Sequence, residues 1–163
     1  MKKTNFLNKI RKEGKLKLVE PSEEMKSSYL EKADNYTKAS KILFQNKLLE
    51  NSVSEAYYCM YNSLLALLFK IGIKSENHSA SIILLKRLFG RDDLFDIISF
   101  AKKERIDKQY YIKFQQKFEL TEDTSKDMIL KAEDFLVKIK LFIDNLNNED
   151  IKSIRESFQS IFK

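Results

Sequence analysis

The chain's capacity for proton transfer and metal binding is bounded by its single histidine, His78, and single cysteine, Cys59. A zinc or iron centre would have to be assembled from carboxylates and one thiol, against the usual preference for several His or Cys ligands. There is no Gly-rich phosphate loop, no Cys or His pair and no nucleophile elbow, so no catalytic residue, metal site or cofactor is assigned. The acid pairs Asp92-Asp93 and Glu23-Glu24 fall where helices are expected to start, and there the helix dipole accounts for them. Cys59 lies in an apolar run and reads as core, which suits a reducing, cytoplasmic setting.

The cations are unevenly placed. Lys2, Lys3, Lys9, Arg11, Lys12, Lys15 and Lys17 stand in the first 18 residues against Glu13 alone, and the rest of the chain carries 23 basic and 23 acidic residues. The pI of about 9.2 therefore belongs to a basic arm, residues 1–21, ahead of a neutral body, residues 22–163. Such an arm can follow a phosphate backbone through Lys9, Arg11, Lys12, Lys15 and Lys17. Alternatively it docks on the body by Phe6, Leu7 and Ile10.

The elements that must position these groups are helical. With 163 residues, three glycines, one proline and no Asn-Gly or Asp-Gly pair, the chain lacks the turn chemistry of an all-β fold. Ser22 followed by Glu23 and Glu24 starts a helix whose Tyr29, Ala33, Tyr36, Ser40, Leu43 and Phe44 form one stripe, ending near Lys47. Ser52-Val53-Ser54-Glu55 has capping-box spacing and places the start of the next helix at Val53. That helix, apolar on nearly every face and ended by Gly72, is expected at the centre. Its apolar run from Ala56 to Ile71 is too short and too interrupted to span a membrane. A polar turn over 74–77 leads to a short helix, Ser79–Phe89. Further helices are expected from Asp92, from Thr121 after a loop over 115–123, and from Asn148. The fold class is all-α, an antiparallel bundle of five or six helices.

The block AYYCMYNSLLALLFKIGIKSENHSA, Ala56 to Ala80, resembles the central signature of prokaryotic HEPN domains, an AYYAMY-like helix followed by a turn carrying Lys-Ser and His. The likeness extends through Arg105 to Tyr111, similar to the family's Arg followed by Asp-Tyr, and through KAEDFLVKIKLFI, covering about Tyr29 to Leu146. It implies a commonly dimeric helical bundle, often encoded with a minimal nucleotidyltransferase in a toxin–antitoxin-type pair, some members being ribonucleases. The family's nuclease motif is Arg, four to six residues, then His. From Arg105 that His would fall at positions holding Tyr110, Tyr111 and Ile112, and the only arginine before His78 is the distant Arg11.

The resemblance thus implies a nucleotide, RNA or nucleotidyltransferase binder with Arg105, His78, Lys74, Gln109 and Tyr110 as candidate phosphate-contacting residues, Gln109 standing where the family has Asp. Each has a plainer reading. Arg105 can end its helix and pair with Glu55 or Asp107, and His78 can bond locally at its turn. Tyr57, Tyr58 and Tyr61 can serve as core and dimer-interface aromatics rather than base-stacking surfaces. The alternatives in function are a ribonuclease with a substituted site, Tyr110 beside Arg105, and a ligand-free scaffold.

Overall fold

Where each helix begins and ends follows from local hydrogen-bond chemistry in the computed structural model, which describes the backbone of residues 2–110 and 120–162 and the side chains of residues 5–105 and 120–162. The elements run α1 (Lys2–Lys12), β1 (Leu16–Leu18), α2 (Glu23–Gln45), α3 (Leu49–Ile71), β2 (Ile73–Ser75), α4 (His78–Phe89), α5 (Asp92–Tyr110), α6 (Glu122–Asp144) and α7 (Asn148–Ser160). Ser22 caps α2 by accepting from the Met25 amide at 3.1 Å, and Asn77 caps α4 by accepting from the Ala80 amide at 2.9 Å. Thr121 and Asn147 close reciprocal capping boxes on α6 and α7. The fold is all-α, as the composition implies, with seven helices among the described residues rather than five or six. The additional one is α1, in the basic arm.

Helix α3 is the centre, packed against α2, α4, α5, α6 and α7. Its start differs from the capping-box expectation. The helix begins at Leu49, four residues before Val53, and its Leu48 cap makes no side-chain bond. Tertiary contact takes the place of local capping. Ser52 is buried inside α3, where its hydroxyl donates to the Ser40 carbonyl at 2.9 Å while Ser40 donates to the Ser52 carbonyl at 2.7 Å. These two small residues, with Ala33 and Thr37 on α2 and Ala56 and Cys59 on α3, allow close approach; the Thr37 hydroxyl lies 3.0 Å from the Cys59 sulfur. Across the bundle α6 buries Met128, Ile129, Ala132, Phe135, Leu136, Ile139 and Ile143, which recur at steps of three and four along one face of the helix.

The arm docks through its apolar residues. Leu7, Ile10 and Leu16 are buried in the same core as α3, and Phe6 packs against it. β1 pairs antiparallel with β2 in the register Leu16↔Ser75, Lys17↔Lys74, Leu18↔Ile73, so the polar turn expected over 74–77 is in part a strand. Behind this ribbon α3 stops at Gly72, whose φ of 82° is left-handed. Arg155 of α7 reaches across, its Nη1 donating to the carbonyls of Val19 and Ile71 at 2.8 Å and of Gly72 at 3.1 Å. A Cβ at Gly72 would lie 2.1 Å from that Nη1 and 2.4 Å from the Val19 oxygen. Among the described residues no helix is long and apolar enough to cross a membrane.

Candidate phosphate-binding site

Three tyrosines on α3 build the site because their positions, 57, 58 and 61, put two on one face and the third beside them. The Tyr57 and Tyr61 rings stack at 6.2 Å with a 9° interplanar angle, and Tyr58 turns toward Tyr36 of α2, stacking at 5.4 Å. His78 is the first residue of α4, placed there by the Asn77 cap. Its ring lies on Tyr61 at 3.7 Å, and its Nδ1 is 2.6 Å from the Tyr57 hydroxyl. Burial, then Arg105 and Lys102, push the imidazole pKa down to about 4. Burial also holds the Tyr57 phenol protonated well above its ordinary range. Near neutral pH both partners are therefore uncharged, and a phenol donating to Nδ1 leaves the imidazole proton on Nε2.

Helix α5 supplies the charge. Arg105 Nη1 donates to the Tyr58 hydroxyl at 2.5 Å, and its guanidinium carbon is 5.1 Å from the ring centres of both Tyr57 and Tyr58. Its Nε is buried and has no partner among the described residues. One turn earlier, Lys102 donates to Ser79 Oγ at 2.5 Å, and burial followed by Arg105 lowers its pKa. No carboxylate among the described residues pairs with either cation. Two neighbouring positive groups held by hydroxyls and aromatic faces favour an anion, and phosphate suits an arginine fork next to a lysine. Neither His78 nor Tyr57 is poised to exchange a proton near pH 7.

The structure brings His78 and Arg105 together at the tyrosines. Lys74 stands elsewhere, on β2 opposite Lys17, ion-paired with Glu76 at 2.7 Å. The second cation acting on His78 is Lys102, which the sequence alone does not single out; its spacing of three from Arg105 is the available signal. The side chains of Gln109, Tyr110 and Asp107 lie outside the described residues, as do positions 111–119. Glu55, a partner considered for Arg105, instead lines a groove between α2 and α3, where burial raises its pKa. On the arm, Lys9, Arg11 and Lys12 are exposed on α1, with the Arg11 guanidinium 4.6 Å over the Phe162 ring. Lys15 pairs with Glu13 at 2.8 Å, and Lys17 is exposed on β1.

Comparison with known proteins places this architecture. A family model described as HEPN domain matches residues 27–142, from the first turns of α2 nearly to the end of α6. The chain belongs to the HEPN family. The cluster of Tyr57, Tyr58, Tyr61, His78, Lys102 and Arg105 lies within the HEPN match, whereas α1, β1 and α7 flank it. A curated relative from Methanocaldococcus jannaschii, named "Putative toxin MJ0605", is 29% identical over 114 residues, covering 68% of this chain and 83% of that protein.

Proposed function

We propose that this HEPN protein is a toxin-like cytoplasmic protein that binds the phosphate of a nucleotide or RNA at Arg105 and Lys102, with His78 as a neutral donor beside them, and that it acts by binding rather than by cutting RNA. The observation that carries the reading is the pair of cations one turn apart on α5, held by Tyr58 and Ser79 with no carboxylate partner among the described residues. The name of the relative supports a toxin-type role, and the family resemblance supports a minimal nucleotidyltransferase as partner. A second copy of the chain is also part of this reading. Leu130, Val137 and Leu141, on the outer face of α6, are 54–57% exposed, an apolar stripe suited to a homodimer.

One observation favours the second reading, a ribonuclease with a rearranged site. An Arg–His pair is assembled in space although the sequence lacks the family's linear spacing, and a bound phosphate would raise the His78 pKa. Labelled RNA separates the two. Binding without cleavage is expected, weakened at least tenfold in both Arg105→Ala and Lys102→Ala. Cleavage that Arg105→Ala abolishes would replace binding with catalysis as the function.

A further inference from the structure

Beside Tyr36 lies an open groove of about 360 Å³, lined by Lys32, Asn35, Tyr36 and Ala39 of α2 and Glu55 and Asn62 of α3. The helical period explains the lining: positions 32, 35, 36 and 39 share one face of α2, and 55, 58 and 62 share one face of α3. Tyr58 connects the groove to the cation pair, since its ring stacks on Tyr36 and its hydroxyl holds Arg105.

The polar groups in the groove are largely uncommitted. Glu55 has no ion-pair or hydrogen-bond partner among the described residues, although burial disfavours its charged form. Asn62 donates its amide to the Tyr58 carbonyl at 2.7 Å, leaving its side-chain oxygen as an acceptor. Lys32 lies 4.8 Å over the Tyr29 ring and is not paired with Glu55. An aromatic wall beside a carboxylate and amides is the equipment for a flat heterocycle with adjacent N–H groups.

We propose that this groove holds the base of the nucleotide whose phosphate sits at Arg105 and Lys102, with guanine preferred because Glu55 can accept from both its N1–H and its N2–H₂ while Tyr36 provides the stacking surface. The proposal rests on the phosphate-binding reading above. Other bases fit the carboxylate less well. Adenine offers a donor beside an acceptor on the same edge, and cytosine offers one exocyclic amine.

The test is calorimetric titration of the full chain with GMP, AMP and inorganic phosphate, with the NMR resonance of His78 followed in parallel. GMP is expected to bind at least tenfold more tightly than AMP. In Glu55→Gln, near-isosteric with the native residue, that preference should vanish while inorganic phosphate still shifts His78. Asn35→Ala, at an exposed position on α2, gives a second variant less demanding of folding and should weaken GMP binding without altering the response to phosphate. Equal affinities for GMP and AMP in the native chain, or an undiminished preference in Glu55→Gln, would overturn the guanine groove while a phosphate response at His78 kept the site on α5. No response to phosphate, GMP or AMP would overturn both.

Discussion

His78 is the chain's one histidine, so its ionisation can be followed without assignment ambiguity and will report directly on the site. Its pKa, about 4 in the folded chain against 6.5 ordinarily, means that the unfolded state takes up the proton first as pH falls. The stabilising contribution is therefore present above about 6.5 and lost as pH drops towards 4. For a half-buried ring screened by solvent the loss should be about 1 kcal/mol. Chemical denaturation at pH 7 and pH 4 should show less of this loss in His78→Gln than in the native chain; an equal loss in both would place the acid sensitivity elsewhere. At this scale sequence reasoning reached His78 and Arg105 through the resemblance. Lys102 escaped it because nothing in the order Lys102, Lys103 distinguishes a lysine facing Ser79 from one facing water. Lys74 sits only four residues before His78 in sequence, yet the strand turns it towards Glu76, a direction set by pairing with residues almost sixty positions away.

Helices were legible to within a few residues wherever caps and apolar period agreed, as at Ser22, Thr121 and Gly72. Ser52 shows why agreement can fail. Its spacing to Glu55 fits a capping box, but two serines exchanging hydroxyl-to-carbonyl bonds across α2 and α3 gain more from burial together than one gains at a helix end. The β1–β2 ribbon left no turn signature because its strands are three residues each and far apart in the chain. Element ends also supply a sharp test. Gly72 and Gly90 both adopt left-handed φ, 82° and 61°, but only Gly72 is crowded; nothing lies within 4 Å of a Cβ built at Gly90. Gly90→Ala should cost about 1 kcal/mol, the backbone term alone, whereas Gly72→Ala should cost about 2 kcal/mol or more because Arg155 must withdraw from three carbonyls. Comparable unfolding midpoints for the two variants would show that the Arg155 contact carries little energy.

Taken as a whole molecule, the chain is a family bundle with an addition at each end, and the basic first segment is both charged outside and apolar underneath. Removing residues 2–20 takes Leu7, Ile10 and Leu16 from the core and should lower the melting temperature by more than about 10 °C, several kcal/mol of lost burial. If Arg105 and Lys102 form the principal phosphate site, affinity for RNA should fall less in this variant than in Arg105→Ala. The reverse order would move binding to Lys9, Arg11 and Lys12. Sedimentation of the full chain at tens of micromolar should give twice 19.3 kDa, and a monomer would remove the second copy from the reading. The arm's charge was legible from residue counts, but its docking was only one of two options, since three apolar residues among seven cations do not say which surface receives them. One guanidinium gives this arrangement a further consequence. Arg155 holds Val19, near one end of the chain, and Ile71 and Gly72, where the central helix stops, so the two additions share an anchor although more than 130 positions separate them. The beginning and the end of the polypeptide should therefore loosen together: without its first strand, the amides of the last helix should lose protection from hydrogen exchange, even though that helix keeps every residue of its own.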